Sequence, residues 1–185
     1  MKRSLKKCAY LVLALAVMIT QAIGFYPTVY AADTANLAAG KTITASSVQQ
    51  TYVATNANDG NVNTYWEGAA NTYPNTLTVD LGSSQSVYKV VLKLNASWGS
   101  RTQALSVLSS TDNSTYTTRV ASNTYTFNPT SNNIVTITFT ETSARYIRLN
   151  FTSNSGATGG QVAEFEVYGT ASTGTPDLIV TDISW

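Results

Sequence analysis

The sequence predicts an all-β fold, an antiparallel sandwich or jelly roll of eight strands, on three observations. Between 37 and 169 the chain consists of short runs of Thr, Ser, Asn, Val and Tyr punctuated by Gly and Asn. Apolar and polar residues alternate in several of those runs, the period of a half-buried strand. No stretch keeps helical apolar spacing for more than about two turns.

In chain order, the first run, 41–47, opens after Gly40, the second, 76–81, stops at Gly82, and the third, 87–94, stops at Asn95. The fourth, 103–109, and the fifth, 115–121, flank the turn cluster Thr111, Asp112, Asn113, and the sixth, 134–140, follows Asn132 and Asn133. In the seventh, 145–151, Ile147, Leu149 and Phe151 form one face against Tyr146, Arg148 and Asn150. The eighth, 162–168, sets Phe165 and Val167 against Glu164, Glu166 and Tyr168. Short strands separated by turn residues suit a single sandwich domain, and about 135 residues are enough to bury a core.

The N-terminus predicts export. Lys2, Arg3, Lys6 and Lys7 precede an apolar run from Cys8 to about Ile19, shorter than the roughly 20 residues of a membrane span and suited to a signal-peptide core. Cleavage is expected after Ala31, or Ala32, giving a leader over 1–31 and a secreted product with no membrane attachment. An uncleaved anchor is the alternative. Cys8 is preceded by Leu5, Lys6 and Lys7, which is not a lipid-attachment setting. At the other end, 171–176 is a small-residue linker, and 177–185 begins a strand that stops short, predicting a second β domain and linked downstream domains.

Losing the leader removes four of the 11 basic residues and none of the 10 acidic ones, for a charge of 7 − 10 = −3. Nucleic-acid binding needs a basic stripe, and there is none. The chain has one Cys, in the leader, and no His. Ser-His-Asp and Cys-His catalysis and imidazole metal ligation are thereby excluded. A small extracellular domain without disulfides needs another staple, here a hard cation held by oxygen.

The segment NANDGNVNTYW at 56–66 offers a carboxylate, a hydroxyl and several carbonyls on a tight glycine-bearing turn, the donor chemistry of Ca²⁺. It lacks the EF-hand register, and an Asp-Gly-Asn triplet is more often a plain turn. With AEFEVYG at 163–169, LTVDLG at 77–82, RTQALSVLSSTDNSTYTT at 101–118, SARYIRLNF at 143–151 and an opening NLAAGKTITASS, it resembles the discoidin family (coagulation factor 5/8 type C), in its carbohydrate-binding module family 32 branch. The resemblance spans 36–169 and implies an eight-stranded antiparallel jelly roll of galactose-binding-like type over 35–170. It also implies one structural Ca²⁺ where the early loop meets the last strand. The ligands would be the Asn56 carbonyl, the Asp59 carboxylate, Asn61 through its main chain, Thr64, the Ala163 carbonyl and the Glu164 carboxylate. Such an ion joins a long loop to the closing strand as a disulfide would. Trp66 is expected to pack inward.

Sugars are bound by an aromatic face against C–H groups and by planar polar side chains. In the loop 95–102, Trp98 has only small polar neighbours, and Arg101 matches a guanidinium donor of many family members. Glu67, Asn154 and Gln161 are the further polar candidates. Ala157 stands where relatives often place a ring, and Tyr52 or Tyr73 could replace it. The structural alternatives are a Trp98 that merely lids the barrel end and an Arg101 in a surface ion pair. A site of one ring and a few hydrogen bonds predicts a Kd of about 10⁻⁴ to 10⁻³ M for polysaccharide or cell-surface glycan.

The tail 176–185 resembles the first strand of a CARDB-type immunoglobulin-like repeat. That pairing is similar to secreted bacterial glucanases, α-1,3-glucan and dextran hydrolases among them. The residues shown are expected to be non-catalytic. Glycosidases pair two carboxylates about 5–10 Å apart, and the only sequence-near couple, Glu67 with Asp59, has Asp59 assigned to metal. The competing binding class is a discoidin-type adhesion domain for protein or lipid surfaces, which would show apolar loop tips and a terminal disulfide.

Overall fold

The computed structural model describes residues 35–170. They form eight strands: β1 (Thr42–Ala45), β2 (Trp66–Glu67), β3 (Asn75–Lys93), β4 (Arg101–Ser110), β5 (Thr117–Phe127), β6 (Ile134–Asn154), β7 (Gln161–Val162) and β8 (Glu164–Gly169). Single 3₁₀ turns occupy Ala54–Ala57 and Pro129–Ser131. Every pairing is antiparallel. The leader, the linker 171–176 and the tail 177–185 lie outside the described residues.

The strands number eight, as expected, but they are cut differently. Runs 76–81 and 87–94 are one strand, β3, and runs 134–140 and 145–151 are one strand, β6. Gly82, expected to end a strand, has φ +88° and lies within β3 at a register shift between the Asp80 and Gln85 pairings. A bulge with a left-handed glycine bends a strand without ending it. Each long strand thereby serves both layers of the sandwich. Asn75–Asp80 pairs with β1 and with Tyr146–Phe151, which in turn borders β4, and β4 borders β5. Lys89–Lys93 lies between Ile134–Thr138 and β8.

Other boundaries move too. Run 115–121 becomes β5, which starts two residues later and continues to Phe127. Run 162–168 is broken at Ala163 into β7 and β8. Arg101 and Asn154, expected in loops, are the first residue of β4 and the last of β6.

Alternation along the strands fills the core. Leu77, Val79, Val90, Leu92, Leu105, Val107, Ile147, Leu149, Phe151, Phe165 and Val167 are fully buried. Trp66 is fully buried as expected, its ring centroid 5.7 Å from that of Phe151 and its indole N–H donating to the Ser47 carbonyl at 3.0 Å. Burying an aromatic side chain of this kind contributes on the order of 1.5–3 kcal/mol by area alone. With the core closed beneath it, the two-residue ladder of β2 and β7, Trp66 with Val162 and Glu67 with Gln161, fixes the end of the molecule where the candidate residues gather.

Candidate functional site

Two clusters meet on the segment 56–67. The first is the loop 59–64. The Asp59 carboxylate accepts from the Asn61 amide at 2.8 Å through Oδ1 and from the Thr64 hydroxyl at 2.7 Å through Oδ2. The Thr64 amide and hydroxyl also reach the Asn61 carbonyl, at 3.1 and 2.8 Å. Gly60, at φ +81°, provides the turn. The Asn56 amide group donates to the Tyr65 carbonyl at 3.0 Å, which ties down the start of the segment.

Glu164, first residue of β8, is buried against this loop. Desolvation and then the negative charge of Asp59 push its carboxyl up to about 7, with the Asn61 and Gly60 amides acting in the opposite sense. Its Oε1 is buried without a hydrogen-bond partner. Ala163 is fully buried beside it, its amide donating to the Lys93 carbonyl at 2.8 Å. The fold therefore brings Asp59, Thr64 and Glu164 together from opposite ends of the domain. Among the described residues no three His, Cys, Asp or Glu cluster for a metal, so any ion here would depend on carbonyl and hydroxyl oxygens beside the two carboxylates. The orphaned oxygen and the facing carboxylates fit such an ion.

The second cluster joins Glu67, Trp98, Arg101, Asn154 and Gln161. Arg101 Nη1 donates to Gln161 Oε1 at 2.7 Å, and Gln161 Nε2 donates to Glu67 Oε2 at 2.9 Å. Asn154 Nδ2 reaches Gln161 Oε1 at 3.3 Å and the Gly159 carbonyl at 2.9 Å. The Arg101 guanidinium lies 4.5 Å from the centroid of the Trp98 ring, a cation–π geometry. Burial works against the charge of Arg101, and Glu67 supports it.

Exposure divides the roles within this cluster. Glu67 and Gln161 are buried, at 9% and 5%, whereas Trp98, Arg101 and Asn154 are half-buried. Glu67 and Gln161 can thus orient Arg101, while the other three can meet a ligand. The two residues once considered as a catalytic couple are split between clusters, Asp59 facing Glu164 and Glu67 facing Gln161.

Three contributors went unread in the sequence. Tyr65 stands 4.7 Å from Trp98, edge to face, and stacks on Tyr52 at 4.3 Å. Its signal was strand alternation beside an inward Trp66. Gln103, fully buried, pairs both its amide atoms with the Gln161 backbone, at 2.9 and 2.8 Å. Asn75, also fully buried, accepts from the Gly160 amide at 2.9 Å. A polar amide at an inward strand position was the only hint for either. Tyr73 has its hydroxyl buried without a partner, its phenol pushed up by burial and then by Glu67.

The F5/8 type C domain matches residues 42–165, more than half of the chain. The chain belongs to the F5/8 type C family. No curated protein matches it. Among solved structures, chitosan-binding module 1 derived from the chitosanase/glucanase of Paenibacillus sp. IK-5 is 34% identical, with TM-score 0.60 and coverage of 74% of this chain and 100% of that one. The family 32 CBM of C. perfringens NanJ, in complex with galactose, is 27% identical, with TM-score 0.62 over 74% and 98% of the two chains. The CBM32 of AlyQ, in complex with 4,5-unsaturated mannuronic acid, is 31% identical, with TM-score 0.58 over 68% and 92%. This F5/8 type C domain therefore has the carbohydrate-binding-module fold, a non-catalytic scaffold, in an all-β antiparallel sandwich.

Proposed function

We propose that this domain is an extracellular glycan-binding module that holds a sugar against Trp98, Arg101 and Asn154. Glu67 and Gln161 lie behind Arg101 and set its orientation. The observation that carries the reading is the hydrogen-bonded series Arg101–Gln161–Glu67, drawn from three strands and set beside the ring series Trp98–Tyr65–Tyr52. Buried polar groups aimed at one guanidinium hold it in place before a ligand arrives, which lowers the entropy cost of binding. The rings offer apolar faces to sugar C–H groups. Solved relatives that bind chitotriose, galactose and 4,5-unsaturated mannuronic acid support the ligand class.

A Ca²⁺ ion in this reading is held by the side chains of Asp59, Thr64 and Glu164 and by carbonyls of Asn56, Asn61 and Ala163. Its contribution is a cross-link between the loop 59–64 and β8, remote from the sugar. The parent is proposed to be a larger secreted protein, a polysaccharide hydrolase such as an α-glucanase, on which the module raises local concentration at the substrate. Chitosan-binding module 1 derives from a chitosanase/glucanase, and in AlyQ the CBM32 is joined to alginate lyase domains. The adhesion alternative has less support. Among the described residues the exposed large apolar ones, Val48, Val53, Val62 and Ile134, include no aromatic or leucine spike, and single exposed apolar residues are ordinary surface.

The decisive experiment is a glycan array followed by calorimetric titration of residues 32–170. Trp98→Ala should weaken the Kd at least tenfold, or about 1.4 kcal/mol, with the domain still folded at the assay temperature by circular dichroism. Binding to anionic vesicles alone, with no glycan retained, would replace this reading by the adhesion one.

A further inference from the structure

Strand β4 has two ends, and the site above uses only the one at Arg101. At the other end, where β4 turns into β5, the surface holds a polar cleft of ≈ 200 Å³ whose lining includes Ser109, Ser110, Asp112, Thr117, Arg119 and Ser143. The ten residues of β4 place it about 30 Å from Arg101 at roughly 3.3 Å per residue. No residue is shared between the two places.

The turn fixes one wall. Asp112 Oδ1 accepts from the Ser114 and Thr115 amides, both at 2.8 Å, and from the Ser110 hydroxyl at 2.8 Å. Those donors hold its carboxyl down at about 2, ionised at any working pH. Its second oxygen, Oδ2, takes no hydrogen bond from the described residues. Arg119 forms the other wall. Its Nε donates to the Ser109 hydroxyl at 2.6 Å, and its two terminal nitrogens have no hydrogen-bond partner among the described residues. The register of Leu108 with Thr118 and Ser109 with Thr117 keeps Arg119 beside that turn. Ser143 comes from the bend of β6, where Ser86 is its partner across the ladder.

The cleft thus has one free carboxylate oxygen, two free guanidinium nitrogens and a lining of hydroxyls. A bare anion would meet the Asp112 charge, and a bare cation would meet Arg119. A neutral ligand with adjacent hydroxyls satisfies both, donating O–H to Asp112 Oδ2 and accepting N–H from Arg119. Charge-assisted hydrogen bonds of this kind are the stronger sort. We propose that this cleft is a second, independent sugar subsite that recognises a vicinal diol. It lacks an aromatic wall, so its affinity rests on hydrogen bonds alone and is weak. Two weak subsites about 30 Å apart let one domain bridge two places on a polysaccharide or two neighbouring chains.

The test is amide-resolved NMR of the ¹⁵N-labelled domain titrated with methyl α-mannoside, methyl β-galactoside and cellotriose. Saturable shifts are expected at the amides of 109–119 with at least one of these sugars. They should persist in Trp98→Ala, which separates this subsite from the one at Trp98. In Arg119→Ala, or Arg119→Gln should the first not fold, the Kd read from the 109–119 amides should rise about tenfold or more. The idea is overturned if no sugar shifts those amides. It is equally overturned if the Arg119 variant leaves their titration unchanged, if Trp98→Ala abolishes it, or if sodium sulfate alone reproduces it.

Discussion

At position 156 a glycine leaves the space that Arg101 occupies. A Cβ there would come within 2.8 Å of Arg101 Cδ and Nε. The obstacle is a flexible side chain, so the fold can yield while the guanidinium moves. Gly156→Ala is therefore expected to weaken glycan binding about three- to tenfold while the melting temperature stays within about 2 °C of the parent. Calorimetry and thermal melts check this together, and loss of stability with intact binding would contradict the placement of Arg101 in the site. Trp98 and Tyr65 show the same economy of position. Trp98 packs partly against the core and carries Arg101 on its ring, so the lid and the ligand contact once weighed as alternatives coexist in one side chain.

Among the elements, β3 and β6 are the ones the sequence divides wrongly, and their bends are where a charge pair sits. Asp80 and Arg145 meet through two hydrogen bonds, Nε to Oδ1 at 2.8 Å and Nη2 to Oδ2 at 2.9 Å. Arg145, and then the Gly82 amide, hold the Asp80 carboxyl below its ordinary 3.8, against partial desolvation. A carboxyl lowered in the folded state stabilises fully above its unfolded pKa and loses that contribution as pH falls through the folded value. The domain should therefore melt earlier as pH drops below about 4, and Asp80→Asn should flatten that part of the profile. The pair is partly exposed, the Arg145 side chain at 41% and that of Asp80 at 24%, so the effect is small. A variant whose acid sensitivity equals the parent's would show that the clasp is thermodynamically silent. The expectation that Gly82 ends a strand failed for a reason visible at the same place. Turn residues also serve bulges, and only pairing partners on both sides distinguish the two.

For the whole molecule, the start and finish of the domain are tied side by side. The Leu37 amide donates to the Val167 carbonyl at 2.8 Å, and the Val167 amide donates to the Asn36 side chain at 3.0 Å. A metal between Asp59 and Glu164 would add a second tie across a separation of more than 100 residues in the chain, where loop closure gains most. Chelation with EDTA should lower the melting temperature by several degrees, and Glu164→Gln should reproduce the loss. Glycan affinity should change less than about threefold, since the Arg101 cluster does not share those ligands. An unchanged melt, with no metal by elemental analysis, would remove the ion from the account.

Strand alternation, the inward Trp66, the absence of His and the blocks shared with the F5/8 type C family could all be read from the sequence by itself, because each rests on residue type, local spacing or order along the chain and not on which strands pair. The candidate binding residues could be named there but not joined. Only the tertiary structure brings Glu67, Arg101, Asn154 and Gln161 into one hydrogen-bonded set, gives Tyr65 to the ring series and leaves Glu164 Oε1 buried without a hydrogen-bond partner. The physical reason is range. A period of two along a strand is local, whereas the meeting of side chains 30 to 100 positions apart depends on which strands pair and in what register. That is decided when the long bent strands close over a shared core.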